Sequence, residues 1–481
     1  MISAAFNRYI FIGNGFWCLK SRLGTIGQNH SEQNENQNII YMAGKHSIYS
    51  RGINILSLHA LMFLFFLSLS NTSFSQMTDG VSIKPPGECP QEDVGDFLRG
   101  DRPRKKPPRK SMILALPNVS YNPVNGLMIG VTGSTAFYIG NSETTRVSSI
   151  GFNAAYTTKK QFLFLAKSNI FSQDNTFFLQ GDWRFLIYNA YTWGLGTNAP
   201  DSIVSDNIFV WQGAQVGDIN DGFPMDYNYL KFHEVLNYEI ADNHYAGLGY
   251  HLDHFYHIKD NALQLDQQPY QLTPHYLHST LYGFDTAKYT LSGISLSYVY
   301  DSRDNQINPY RGYYVNLNYR GNPVFLGSSA NSSTLWLEFR TYVRVSKTVP
   351  RHIVGFWFFS HLQVSGRQPY MTLMALGEDQ KARSGRGYVA GRYRGENMIY
   401  GEVEYRFPIT QCSKILGGVI FLNANTLSND ARNISVFDYV RPGVGFGLRL
   451  MINKYFRTNI NLDFGWGYKS KGFYLSGTET F

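Results

Sequence analysis

The densest run of potential metal ligands in the sequence is His251-Leu252-Asp253-His254-Phe255-Tyr256-His257. Imidazoles and a carboxylate in such proximity are the donor set of a zinc site. On a β-strand, however, His251 and His257 share one face and His254 points to the other, so the three cannot converge on one ion. Asp218-Ile219-Asn220-Asp221-Gly222 begins like a calcium loop, but the EF-hand spacing fails and no Glu follows at the required distance. No bound metal is expected. The basic run Arg102 to Lys110 offers phosphate contacts, yet proline interrupts it three times. It reads as a solvated linker rather than a nucleic-acid site. There is no phosphate-binding glycine loop, no zinc-protease helix motif, no nucleophile elbow and no paired cysteine spacing. Without a Ser/His/Asp set at readable spacing, neither enzymatic activity nor a cofactor is expected.

The charges that do show organised spacing sit on alternating segments. In Gly401 to Ile409, the polar face carries Glu402, Glu404 and Arg406, and the opposite face Val403, Tyr405 and Phe407. Further on, Gly443, Gly445, Gly447 and Arg449 oppose Val444, Phe446, Leu448 and Leu450. Next, Asn459, Asn461, Asp463, Gly465 and Gly467 oppose Ile460, Leu462, Phe464 and Trp466. Period two places one face of each strand on an apolar medium and the other on a polar one. A polar face of Glu, Arg, Asp, Asn and many Gly suits the wet lumen of a barrel in a lipid bilayer.

Composition agrees. Aromatics make up 16% of the 481 residues, Gly accounts for 45, and charged residues are only 16%, against roughly 25% in soluble domains. Mean hydropathy is −0.25, too low for a bundle of membrane helices. About sixteen strands can be delimited, the first from Ser111, the sixth from Asn228 and the last from Gly472. Short and long connections alternate, the long ones being Ala190–Tyr227, Lys259–Ala287 and Ser365–Glu396. Trp183, Tyr188, Trp357, Trp466 and Tyr468 read as interfacial girdles. Cys18, Cys89 and Cys412 form no disulfide framework.

Upstream, residues 1–41 are Asn- and Gln-rich and read as an upstream extension. Residues 42–75 read as a signal peptide: Lys45, His46 and Arg51 precede an apolar run ending near Ser70, and small polar residues follow. Cleavage is expected near Ser75/Gln76. The rival, a single membrane anchor, lacks a following stop-transfer cluster. Residues 76–110 are a Pro-rich, basic periplasmic linker in which only Glu92 to Leu98 could form a short helix. Residues 111–481 are the barrel.

The barrel region resembles the BamA/TamA family of the bacterial surface antigen superfamily. The resemblance is carried by Ser384-Gly385-Arg386-Gly387-Tyr388 with the following Gly391 to Ile409, by Tyr300 to Tyr319, and by the final strands, and it covers roughly Leu114 to Phe481. It implies an all-β transmembrane antiparallel barrel of about 16 strands whose long sixth outer loop folds into the lumen. It implies that the loop tip, Arg386, Gly387 and Tyr388, is held by lumen-facing residues. Glu404 is the first candidate partner, with Glu402 beside it and Phe421 and Asn423 on the next strand. Where the family has an acidic residue, this chain has Asn423, which accepts a hydrogen bond but carries no charge. A guanidinium fork suits a carboxylate bidentately, so Glu404 is favoured. In a wet lumen, loss of Arg386 is expected to cost only ~1 kcal/mol. The span from Gln76 to Ser111 leaves no room for the periplasmic POTRA modules of many family members.

The resemblance further implies location in the outer membrane and a role in inserting or translocating protein or lipid through a lateral seam; a passive outer-membrane channel or structural barrel is the alternative. Implied partners are outer-membrane lipid, unfolded outer-membrane protein or lipid clients, and the assembly machinery that inserts the barrel itself. Two defects fall on the expected seam. Pro117 in the first strand has no amide hydrogen to donate, and Gly477 is expected in mid-strand in the last. Phe473, Leu475 and a terminal Phe481 at the end of that strand are expected to form the aromatic signal of such barrels.

Overall fold

A computed structural model describes residues 91–100 and 111–481, apart from 123–125, 200–221, 269, 347, 348, 350, 381 and 411–413. The expected signal segment, its cleavage site, most of the linker and Asp218 to Asp221 lie outside the described residues.

A single 16-stranded antiparallel sheet runs in sequence order. Its strands are β1 (Ser111–Asn122), β2 (Gly126–Phe137), β3 (Ser148–Thr157), β4 (Phe162–Phe171), β5 (Phe177–Thr192), β6 (Phe223–Ala241), β7 (His244–Asp260) and β8 (Tyr289–Asp301). They continue as β9 (Gly312–Asn322), β10 (Ser332–Arg344), β11 (Ile353–Gly366), β12 (Met398–Pro408), β13 (Leu416–Leu427), β14 (Arg441–Asn453), β15 (Thr458–Gly467) and β16 (Ser470–Ser476). The sixth strand starts at Phe223 rather than Asn228, because Pro224 and Met225 still pair with Tyr191 and Ala190. No helix among the described residues is long and apolar enough to cross a membrane.

Alternation sorts the side chains as a barrel requires. Leu248, Leu296, Leu422, Val444 and Phe446 are exposed outward, whereas Glu402, Glu404, Asn423 and Arg449 are buried inside. Trp183, Trp466 and Tyr468 are exposed, as girdle residues should be. Trp357 and Tyr188 are not: Trp357 is fully buried and donates from Nε1 to Glu338 at 2.8 Å, and Tyr188 lines an internal chamber. Around both residues the strand is locally apolar on its two faces, which erases the period-two signal.

On the side of β10 to β13 the interior is packed with side chains. Trp336, Trp357, Phe359, Tyr388, Tyr393 and Tyr400 form its largest buried cluster. Among the described residues two α-helices lie outside the sheet. Helix α1 (Val94–Arg99), closed by a capping box between Asp93 and Asp96, docks on the β14–β15 turn, where Lys454 Nζ reaches Asp96 at 2.7 Å. Helix α2 (Pro274–Tyr282) occupies the long β7–β8 connection, capped by Thr273 and stopped by Gly283 in the left-handed region.

Two strand-level expectations are corrected. The last strand stops at Ser476, so Gly477 lies just beyond it rather than in mid-strand. Phe481 is not a strand residue: its ring is buried inside against Trp357 and Tyr342. The physical reason is that residues 477–481 find better partners inside the barrel than along its edge. Glu479 pairs with Arg449 at 2.8 Å, and Arg406 donates to the Phe481 carbonyl at 3.1 Å.

Candidate functional site

The β11–β12 connection turns back into the barrel. It is pinned near its start and end by a short ladder between Met374–Ala375 and Arg394–Gly395. Arg394 stiffens the fold-back by donating to the carbonyls of Met371 and Leu373, at 3.1 and 2.8 Å, and to Glu378 at 3.0 Å. Between these points hangs the tip, Gly385 to Tyr388.

Arg386 sits in a closed cage. Its guanidinium pairs with Glu402 and Glu404 of β12 and with Asp463 of β15 at 2.9 Å. It lies over the Phe421 ring at 3.6 Å, while Asn423 donates to the Arg386 carbonyl at 3.0 Å. Strand register explains the convergence, since Glu402 faces Asn423 and Glu404 faces Phe421 across β12 and β13. Arg386 is only 3% exposed. The expectation of a screened lock exposed to solvent is therefore corrected: this ion cluster is buried. Asp463 went unnoticed as a partner, although alternation already places it on the polar face. Its carboxylate supplies the charge that Asn423 lacks, and Arg449 shares it.

The tip also needs space. Gly443, Gly465 and Gly467 present bare backbone to it. A Cβ on Gly465 would lie 2.7 Å from the Gly387 nitrogen, and one on Gly467 would lie 2.4 Å from the Tyr388 ring. Gly387 itself has φ of 106° and its own Cβ would meet the Trp466 carbonyl carbon at 2.7 Å. Hydrogen bonds complete the seat: Gly385 N–H donates to Tyr400 at 3.0 Å, Gly387 N–H to Tyr474 at 2.9 Å, and Tyr468 N–H to the Tyr388 hydroxyl at 3.0 Å.

A second anchorage ties the loop to the facing wall. Arg184 of β5 donates to the carbonyls of Glu378 and Asp379, at 3.3 and 3.0 Å, and Lys167 of β4 to that of Gln380. Arg383 binds Thr478 and Glu479 beyond β16. Among the described residues β1 pairs only with β2 and β16 only with β15. Gly477 instead lies beside the β1 side chains, its Cβ position 3.2 Å from Leu114 Cδ2. Pro117 lies within β1, opposite Val131 of β2. Phe473 and Leu475 point outward, exposed.

The histidine run behaves as separate parts. His251 bonds Ser295 at 2.7 Å inside, His254 bonds Thr290 at 2.8 Å, and His257 sits at a bulge with φ of 52°.

Residues 205–481 match the family model of the Omp85 superfamily domain. The chain belongs to the Omp85 superfamily. Members are assembly and transport barrels, and the membership implies an outer-membrane location. Among solved structures, this Omp85 barrel is similar to BamA from Haemophilus ducreyi lacking POTRA domains 1–3, at 15% identity and a TM-score of 0.45, covering 77% of this chain and 69% of that one. It is also similar to CdiB from Acinetobacter baumannii, at 13% identity and a TM-score of 0.44, covering 77% of this chain and 60% of that one. A search of curated proteins finds no match.

Proposed function

We propose that this Omp85 barrel inserts or translocates protein or lipid clients across the outer membrane by letting them leave sideways between β1 and β16. The observation that carries this reading is the absence, among the described residues, of a ladder between those two strands. Every other neighbouring pair is joined by backbone hydrogen bonds, so this is the line of least resistance. In this reading Pro117 and Gly477 keep the edges from zipping, and the caged Arg386 holds the loop as an internal brace. The loop and its aromatic cluster fill the lumen on the side of β10 to β13, which weighs against a passive channel. Its partners would be outer-membrane lipid, the clients, and the machinery that inserts the barrel itself. The mature chain would begin near Gln76, and amino-terminal sequencing that recovers Met1 or Met42 from membranes would exclude that start.

The decisive experiment joins the edges. Leu114→Cys and Gly477→Cys, in a background where native cysteines are serine, are bridged by oxidation or a short bismaleimide. The barrel should stay folded, while outer-membrane protein and lipid composition shifts as it does on depletion, and reductant reverses the disulfide form. Full activity of the bridged protein would exclude a lateral exit and leave the passive channel.

A further inference from the structure

Inside the barrel, between strands β4 to β11 and the returning loop, lies a chamber of about 490 Å³. Its volume is in the range that holds one small organic molecule. Its wall is unusual for a barrel interior. Leu163 and Leu165 of β4 and Leu186 of β5 line it from the sheet, and Leu373, Met374 and Val389 line it from the loop. Register keeps this patch together, because Leu163 faces Leu186 and Leu165 faces Arg184. A water-filled passage lines itself with polar side chains. Along the leucine patch itself amides would find no partners, the polar lining residues Asn189, Asn318 and Gln368 lying apart from it in sequence. A hydrocarbon chain would lose nothing there.

The patch ends on charge. Arg184, Lys231 and Arg320 line the same chamber. They share two carboxylates: Asp182 pairs with Arg184 and Lys231, each at 2.8 Å, and Asp253 pairs with Arg320 at 2.6 Å. Asp253 is further held by Tyr229 at 2.6 Å and His233 at 2.9 Å. Within this cluster three cations meet two carboxylates; Glu378 also lines the chamber but is held by Arg394, outside the cluster. Arg184 and Arg320 are committed to carbonyl or side-chain acceptors as well, whereas the Lys231 ammonium makes one ion pair, to Asp182. Lys231 has the geometry of a headgroup ligand, with ammonium donors to spare.

We propose that this chamber binds one anionic single-chain amphiphile, its acyl chain along Leu163, Leu165 and Leu186 and its headgroup at Lys231. The proposal rests on the reading of a client-handling barrel and names the client class as an anionic lipid with one acyl chain. A fatty acid and an anionic lysophospholipid share this chemistry.

The test uses the full mature chain in phosphatidylcholine nanodiscs, with photoactivatable palmitate or lysophosphatidylglycerol, the diazirine placed on the chain. Alternation supplies an internal control, since Phe164 and Ile187 are exposed on the outer face beside the inward leucines. Adducts are expected at Leu163, Leu165 or Leu186. They should saturate, be competed by excess unlabelled probe, and be unaffected by a cationic amphiphile of equal chain length. The probe with the tighter saturation identifies carboxylate or phosphate as the headgroup. Lys231→Gln should weaken inward labelling roughly tenfold, the loss of one charge-assisted contact. Leu186→Trp, which keeps every charge and fills the chamber, should abolish it and guards against a misfolded charge variant. Adducts confined to Phe164 and Ile187, or inward labelling equal for the cationic probe, would overturn the site. Labelling is read in the unbridged barrel and activity in the bridged one, so absent labelling beside a bridged seam that still blocks activity would remove the amphiphile and keep the lateral exit.

Discussion

Arg383 of the inserted loop donates from Nη2 to the Thr478 hydroxyl at 2.7 Å, and from Nη1 to the carbonyls of Thr478 and Glu479. The loop and the segment beyond β16 are thus tied directly, not merely neighbours in one lumen. Arg383→Ala should release residues 477–481 while leaving the strands intact. Thr480→Cys, buried in the parent, should then react with a bulky maleimide; unchanged reactivity would mean that Arg449 and Arg406 suffice to hold the segment.

The cage around Arg386 predicts a larger cost than a surface ion pair. Removing one partner of a buried pair costs about 3–5 kcal/mol. Arg386→Ala should therefore open Ser365–Glu396 to protease and lower the thermal unfolding midpoint. Arg386→Lys should rescue little, because an ammonium cannot fork between Glu402, Glu404 and Asp463. Equal protease resistance of parent and Arg386→Ala would show the loop is held elsewhere.

Shape can be separated from charge. Gly465→Ala and Gly467→Ala leave every carboxylate in place but put a methyl where the tip backbone and the Tyr388 ring lie. Overpacking of this kind costs about 1–3 kcal/mol. Loop protection against protease should fall in both variants, and Gly401→Ala, whose Cβ position has nothing within 4 Å, should leave it unchanged.

The outer helix α2 should respond to acid. His278 donates from Nε2 to the Gln368 carbonyl at 2.9 Å and packs on Tyr370, Tyr282 and Phe284. Burial pushes its pKa down to about 4, with His275 and Arg367 also disfavouring the proton and the Gln368 carbonyl opposing them. The folded value lies below the unfolded one near 6.5. Its stabilising contribution is thus present above pH 6.5 and lost as pH falls towards 4. Hydrogen exchange of α2 should accelerate across that window, and His278→Phe should flatten the response.

Strand alternation made most of the sheet legible, because lipid on one side and protein on the other impose period two wherever the faces differ. It failed where both faces are apolar, which is why Trp357 and Tyr188 read as girdle residues. Helix α2 has readable signals, Thr273, Pro274 and Gly283, inside the long connection Lys259–Ala287. Glu402, Glu404 and Asn423 were legible as lumen residues near the tip. Asp463 was legible only as a face. That β15 curls round to meet a loop hung from β11 and β12 is set by the curvature of the whole sheet, a property no local window contains. The inward turn after Ser476 is equally non-local, since Arg449, Arg406 and Arg383 reach it from three separate elements.

The cage around Arg386 also dates its own completion. Glu402 and Glu404 lie 16 and 18 residues along the chain from Arg386, but Asp463 lies 77 away. Long separations delay contact formation, since the intervening chain must be ordered first. The loop can seat on β12 as soon as that strand forms, yet Asp463 and the bare backbone of Gly465 and Gly467 arrive only with β15. A half-built barrel would carry a half-seated loop, so locking the tip reports that the penultimate strand is in register.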